Sequence, residues 1–288
     1  MERLNIGIIG GSGFYQMEGV KVLEEKTIKT PFGSPSDNYI IVEIEGRKVA
    51  FLSRHSRGHK ISPSEINYRA NIYGFKMLGV ERIISVSAVG SLKEEIRPLD
   101  IVLVDQFYDR TYRRENTFFK DGIVAHVSFA KPTCPVLRGL LFEAGKELGL
   151  NVHNGGTYIN IEGPQFSTIA ESETYRKLGF DVIGMTNATE AKLAREAELC
   201  YTTMALVTDY DCWKEDEEDV SVEMVIANLK KNTENAQKII KKVIPMIPEE
   251  RGEDCMCKHA LKYSIITSPE LISEETKDRL RLIIGKYI

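Results

Sequence analysis

Residues 199–213 read LCYTTMALVTDYDCW, and positions 199–207 form an apolar, β-branched run that is too short for a core helix. An unbroken run of this kind marks a strand buried on both faces, a pattern found mainly in sheets that helices cover on each side. Working outward, the same alternation of short apolar runs and longer amphipathic stretches fills the chain. It predicts strands at 4–9, 38–44, 48–53, 82–88, 100–104, 157–161, 181–184 and 199–207. Helices are expected near 63–78, 135–148, 169–178, 190–198 and 221–243, with a C-terminal one opening at Ser268 or Ser273. Ser62-Pro63-Ser64-Glu65 is a capping box with proline at the first helical position, and Thr168 to Glu171 is a second box. The fold class is therefore α/β, with a largely buried sheet between helices. No low-complexity linker interrupts the pattern, so one domain is expected over 1–288, with a polar surface loop from about 245 before the last helix.

The chain has 288 residues, 42% of them hydrophobic and 28% charged, and a net charge of −4. That balance excludes a chain-wide basic surface built to neutralise nucleic-acid phosphates. No 18 consecutive apolar residues occur, so no membrane span is expected. The apolar start MERLNIGIIGG is broken too soon for a signal peptide, which leaves the cytoplasm as the expected address. The five cysteines, Cys134, Cys200, Cys212, Cys255 and Cys257, have no spacing that suits a four-ligand zinc, so no metal is expected.

Five segments have the residue types that chemistry needs. GIIGGSG (7–13) follows the first strand, where small residues let backbone N–H groups approach an anion and Ser12 adds a hydroxyl; a plain tight turn fits as well. A dinucleotide fingerprint would need a third glycine that the run lacks. SRHSRGHKISPSEINYRAN (53–71) places Arg54 and His55 after a strand, suited to phosphate oxygens or simply to a solvated basic loop. SVSAVGSL (85–92) brings Ser87 and small residues to a strand end. YINIEGPQFST (158–168) and VIGMTNATE (182–190) offer Glu162, Phe166, Met185 and Thr186, as site walls or as ordinary packing. Asp209 and Asp211 alternate at the end of the opening strand, on one face if the strand continues. Two neighbouring buried acids are costly without a use, and a purine offers one through its imidazole nitrogen and exocyclic amine.

Taken in order, GIIGGSG, TPFGSPSD (30–37), Arg54-His55, INYRANI (66–72), SAVGSL, DIVLVDQFYDRT (100–111), IEGPQFST, GMT (184–186) and TDYDCW resemble the trimeric nucleoside phosphorylase family, most closely its members acting on 5′-methylthioadenosine. The resemblance implies a single-domain fold with a central mixed sheet and phosphorolysis of a purine nucleoside by inorganic phosphate. It implies no organic cofactor. Phosphate would lie among Ser12, Arg54, His55, Ser87, Ala88 and Thr186. Base and sugar would meet Ala88, Val89, Gly90, Phe166, Ile183 and Met185, with Asp209 as general acid and Asp211 beside it on the purine edge. Val222 and Val225 would contact the 5′ group, and His126 would reach a neighbouring subunit's site in a trimer or dimer of trimers. Many relatives have proline where this chain has Thr189, which leaves the turn beside Glu190 to be determined. Similar proteins of hyperthermophiles have bridged cysteines, implying Cys134–Cys200 and Cys255–Cys257 disulfides with Cys212 free. The alternatives are an inosine and guanosine phosphorylase, a nucleotide-binding protein without turnover, and a dinucleotide oxidoreductase.

Overall fold

The axis of the fold is one ten-residue strand, β5 (Arg82–Ser91), in the computed structural model, which describes residues 4–11, 20–214 and 222–288, the side chains of 222–225 excepted. Along one edge β5 pairs in parallel with β11 (Cys200–Asp209), from Arg82 opposite Cys200 to Gly90 opposite Asp209. The other edge is shared. Its first half pairs with β1 (Ile6–Gly10) only as far as Ser85, and its end pairs antiparallel with β10 (Val182–Gly184) at Gly90 and Ser91. Among the described residues, no strand lies beside that edge from Val86 to Val89.

The sheet spreads from this fork. Beyond β1 come β4 (Arg47–Ser53), β3 (Tyr39–Ile44) and β2 (Lys21–Lys26), and beyond β10 come β9 (Thr157–Asn160) and β7 (Gln106–Asp109). On the far side β11 pairs with β6 (Ile101–Leu103), which pairs with β8 (Val152–Asn154). Parallel and antiparallel ladders are mixed, as expected of the central sheet.

Period-two alternation sends neighbouring residues to opposite layers. Ile6, Ile8, Ile84 and Val86 pack with α2 (Pro135–Glu147) and α5 (Val222–Val243) through Leu137, Leu141, Ala236 and Ile239. Ile9 and Ile83 face α1 (Tyr68–Met77), α4 (Asn187–Glu196) and α6 (Glu274–Ile284) through Ile72, Phe75, Ala194 and Leu280. All ten residues of β11 are buried, which is the two-sided burial its apolar run predicts.

Several expectations need correction. β2 is not predicted, because KVLEEK is polar and exposed and is held in place by its ladder to β3 and by Glu25, which accepts from Asn38 and Arg57. β7 and β8 are four and three residues long, too short to show a period. Half of the Ser62 box forms: the Ser62 N–H is 3.1 Å from Glu65 Oε2, but the Glu65 N–H donates to the Ser62 carbonyl rather than its hydroxyl, so it closes a turn and not a helix. The helix starts at Tyr68, where the Asn67 side chain caps the Ala70 N–H. α4 begins at Asn187 rather than Glu190, so Thr189 lies in a regular first turn. The Thr168 box is complete and opens α3 (Ile169–Lys177) as predicted. At the C-terminus, Ser268-Pro269 opens only a short turn, while Ser273 caps α6. β11 also runs two residues further than predicted and has an extra residue, Thr208, between Val207 opposite Val89 and Asp209 opposite Gly90.

Tyr158 from β9 reaches under the end of β10, where a Cβ on Gly184 would lie 2.0 Å from its hydroxyl. Backbone and a fully buried ring meet there, so neither can yield cheaply. Gly184→Ala should lower unfolding free energy by about 1–3 kcal/mol, and adding Tyr158→Phe should not restore it, because ring carbon Cζ would still stand 2.5 Å from the new Cβ. Urea unfolding that leaves the single variant within error of the parent would contradict this contact.

Candidate active site

The site forms where β5 loses its neighbour. β10 leaves the sheet through Met185 and Thr186 and turns into α4, so the positive end of a ten-residue helix faces the gap beside Ser87 and Ala88. Thr186 is the N-cap and is buried, and its hydroxyl is 3.2 Å from Asn187 Oδ1. The Tyr158 hydroxyl lies 3.5 Å from the Thr186 N–H, and the Ser87 side chain also interacts with Tyr158. This buried phenol therefore joins the two hydroxyl-bearing segments.

Arg54 enters the fork from the end of β4. Its Nη1 donates to the Val86 carbonyl at 3.0 Å, Nη2 donates to Ser85 Oγ at 2.6 Å and Glu190 Oε2 at 3.2 Å, and Nε donates to Glu190 Oε1. Four of the five guanidinium N–H groups are thus committed inside the protein. Burial works against its charge, but the Glu190 carboxylate outweighs it and holds the guanidinium above its ordinary value. Glu190 also accepts from the Ser85 and Tyr201 hydroxyls at 2.6 and 2.8 Å, and Asn187 Nδ2 donates to the same two hydroxyl oxygens at 2.8 and 2.9 Å. Arg54 is primarily the clamp that fastens α4 to β5, a role the basic run 53–60 did not disclose.

His55, next in the chain, is half-buried with Nδ1 2.8 Å from the Ile61 carbonyl, which assigns the proton to Nδ1 and leaves an acceptor at Nε2. Burial, and then the charge of Arg54, push its titration down to about 4. The ring stacks on His59 with centroids 4.3 Å apart.

The acid pair lies on the other side of Gly90. A Cβ at Gly90 would stand 2.9 Å from Asp209 Oδ1, 3.1 Å from Ile183 Cγ2 and 3.3 Å from Asp211 Cβ. Glycine is what lets the two acids and the β10 side chain converge. Asp209 is buried, with Oδ2 accepting from the Thr208 hydroxyl at 2.6 Å and Oδ1 from the Asp211 N–H at 2.8 Å. The acids do not share a face by strand alternation. β11 ends at Asp209, and Asp211 returns through a left-handed turn with φ +54, a conformation aspartate tolerates better than most residues. Burial raises Asp211 above the usual carboxylate value, against the pull of the Ser172 hydroxyl and the Cys212 N–H. Its Oδ2 and the hydroxyls of Ser167 and Ser172 are buried without a geometrically sound hydrogen bond among the described residues.

Trp213 fixes this turn by donating from Nε1 to the Ser91 carbonyl at 2.8 Å under the Arg176 guanidinium, 3.6 Å from its ring centre. Sequence reasoning named neither Trp213, Ser167 nor Tyr158; a tryptophan two residues after the second acid was the available signal. Phe166 is 53% exposed rather than packed in the core, and Met185 packs against Gly163. Glu162 is occupied by Arg114, Ser64 and the Tyr112 N–H. His126 is exposed, and its backbone N–H donates to the Ser264 carbonyl at 2.8 Å. Ser12 and the side chains of Val222 and Val225 lie outside the described residues.

All five cysteines are free, so neither expected bridge is formed. The pairwise reading fails because four of them form one group: Cys200 Sγ lies 3.5 Å from Cys255 Sγ, and Cys134, Cys200 and Cys257 cluster within 4.8 Å. The expectation of no metal rested on spacing along the chain, which does not report that cysteines 134, 200 and 257, from distant segments, come together in the fold.

A crevice at the carboxyl end of β5, where the strand order switches, is where open α/β sheets place their ligands. The profile of the "Phosphorylase superfamily" matches residues 5–245, and the chain belongs to that family. It is 57% identical over 282 residues to the S-methyl-5′-thioadenosine phosphorylase of Koribacter versatilis, covering 98% of this chain and 96% of that one. The enzyme of the same name from Geobacter sulfurreducens is 56% identical, covering 98% and 99%. Among solved structures, a methylthioadenosine phosphorylase from an antarctic soil metagenomic library superposes with a TM-score of 0.93 at 49% identity, covering 98% of this chain and 99% of that one. The Schistosoma mansoni methylthioadenosine phosphorylase, in complex with adenine, gives 0.86 at 35%, covering 91% and 99%.

Holding the half-buried His55 neutral affects stability. Between about 4 and 6.5 the unfolded chain takes up a proton that the folded imidazole refuses, so stability falls as pH drops through that window. His55→Gln should flatten this dependence by up to about 3 kcal/mol, read from urea unfolding at neutral and mildly acid pH. An unaltered slope would show that His55 is not held neutral.

Proposed function

We propose that this chain transfers the 5-methylthioribosyl group of 5′-methylthioadenosine from adenine to inorganic phosphate. The observation that carries the reading is the convergence of Asp209 and Asp211 on Gly90, one strand position beyond the hydroxyl-lined gap that the α4 N-terminus faces. The names of relatives that match the chain over nearly its whole length point the same way.

In this reading monohydrogen phosphate sits among Ser12, Arg54, His55, Ser87, the Ala88 backbone and Thr186. A neutral His55 with its proton on Nδ1 accepts a hydrogen bond from the P–OH group at Nε2. The purine lies against Val89, Gly90, Ile183, Met185 and Phe166, and its N7 and 6-amino group face Asp209 and Asp211. Ser167, whose hydroxyl is buried without a partner among the described residues, joins that edge. Val222 and Val225 take the 5′ methylthio group.

The C1′–N9 bond stretches first, and the phosphate charge stabilises the developing oxocarbenium before a phosphate oxygen bonds to C1′. The departing base gains a proton at N7 through Asp209. The proton that monohydrogen phosphate gives up balances the step, leaving neutral adenine and the sugar 1-phosphate dianion. No metal or organic cofactor enters this chemistry.

Adenine should appear from methylthioadenosine only when phosphate is present; equal release without it would make the enzyme a hydrolase. Asp209→Asn should lower turnover by about 10²–10⁴-fold with an unchanged unfolding curve, and an unchanged rate would remove Asp209 from this role.

The same reading makes the protein a trimer in which His126 completes a neighbour's site. Exposed apolar side chains near the crevice, Tyr112 at 76% and Ile169 at 65%, fit burial between subunits. Mixing inactive His126→Ala and Asp209→Asn subunits should restore part of the activity, because some interfaces then combine two intact halves. An active monomer in sedimentation would refute the shared site. Among the described residues no helix is long and apolar enough to cross a membrane.

A further inference from the structure

At the opposite end of β11 from the acid pair, four sulfurs meet on the α2 and α5 side of the sheet. Cys134 is the N-cap of α2, Cys200 is the first residue of β11, and Cys255 and Cys257 lie in the turns that follow α5. The Sγ atoms of Cys134, Cys200 and Cys257 all lie within 4.8 Å of one another, and these three residues are buried. Cys255 Sγ stands 3.5 Å from Cys200 Sγ at the half-buried edge of the group.

The backbone holds each segment in place. The Cys134 N–H donates to the Tyr201 carbonyl at 2.8 Å and the Cys200 N–H to the Glu81 carbonyl at 2.9 Å. The Cys255 N–H donates to the Gly252 carbonyl at 3.1 Å, and the Lys258 N–H to the Cys255 carbonyl at 3.0 Å.

Zinc bound by four thiolates has metal–sulfur bonds of about 2.3 Å, which sets the sulfur–sulfur edge of the tetrahedron near ~3.8 Å. The 4.8 Å bound on the buried three allows that edge, while Cys255, 3.5 Å from Cys200, lies outside the bound and closes on the ion as the fourth ligand. Simple core packing explains a buried cysteine, but not the gathering of four from three distant segments. A pocket of about 370 Å³ opens beside the group and gives an ion a route to it; its lining includes all four cysteines, Arg82 and Arg251. A tetrathiolate zinc carries a net charge of −2, and the positive end of α2 suits that charge, while Arg82 and Arg251 beside it are balanced by Glu81, Glu250 and Asp254.

We propose that Cys134, Cys200, Cys255 and Cys257 form a structural zinc site that ties the C-terminal segment to α2 and β11. Binding Zn²⁺ releases the four thiol protons to solvent, with no change of oxidation state. The site is independent of the phosphorolysis reading, and its failure would leave that reading untouched.

Protein expressed with zinc in the medium and dialysed against metal-free buffer should retain about one equivalent of zinc per chain by elemental analysis. Replacing zinc by Co²⁺ should give the intense visible bands and near-ultraviolet charge-transfer band of tetrahedral thiolate cobalt. Cys255→Ser, at the half-buried edge, should weaken the charge-transfer band and shorten metal retention while the chain stays folded. Cys257→Ser should act more strongly and is read against it. Thiol titration of the denatured, unreduced and chelated protein should find all five cysteines free. A metal-free protein whose reduced form binds no Co²⁺ would overturn the proposal, and so would a titration showing fewer thiols because pairs are bridged.

Discussion

A guanidinium and a carboxylate, each almost wholly removed from water, hold the fork of the sheet together. Arg54 is 3% exposed and Glu190 1%, and isolating either charge at that depth would be prohibitive. Their cost is offset by hydrogen bonds: Ser85 and the Val86 carbonyl accept from Arg54, the Ser85 and Tyr201 hydroxyls donate to Glu190, and Asn187 donates to both hydroxyl oxygens. Removing one partner from such a pair usually costs about 3–5 kcal/mol, because the other charge is left buried alone. Strand β4, strand β5 and the first turn of α4 are all fastened by this one cluster. The gap beside Val86 to Val89 exists because the cluster, rather than another strand, closes its lower end.

That arrangement decides what kind of anion site this is. With Glu190 already beside Arg54, the pair contributes little net charge, and attraction for an anion falls to the α4 N-terminus and to fixed hydroxyl and amide dipoles. Preformed dipoles need little reorganisation when charge shifts, which is the property that electrostatic catalysis exploits. On the opposite side of Gly90, the left-handed turn at Asp211 aims a backbone N–H at Asp209 and leaves Asp211 Oδ2 and Ser167 Oγ without a geometrically sound hydrogen bond among the described residues. One side of the crevice is thus saturated and stiff, and the other retains polar groups that a heterocycle can satisfy.

Much of this was legible in the sequence, and the failures have definite causes. Apolar period-two runs located the buried strands because burial on both faces is written in composition. Strand β2 escaped because its residues are polar and its place is dictated by β3. The Ser62 box was read as a helix start, although its hydrogen bonds close a single turn just as well. Arg54, Ser87, Thr186 and the two aspartates were picked out and do gather around β5, but the partner of Arg54 was invisible because Glu190 lies 136 positions away. The cysteines show the same limit: spacing along the chain cannot report sulfurs that meet only after folding.

The extra residue in β11 has one more implication. Thr208 is the single residue of that strand without an opposite number on β5, and it shifts the phase of everything after it. Its hydroxyl, 2.6 Å from Asp209 Oδ2 and 3.2 Å from the Val89 carbonyl, marks the step. Were the strand to run on without the bulge, Thr208 would stand opposite Gly90 and Asp209 would move one position on, opposite Ser91 and on the other face of the sheet. The acid therefore stands at Gly90 only because the ladder skips one residue, and an insertion after Val207 that the ladder does not skip would carry it out of the site.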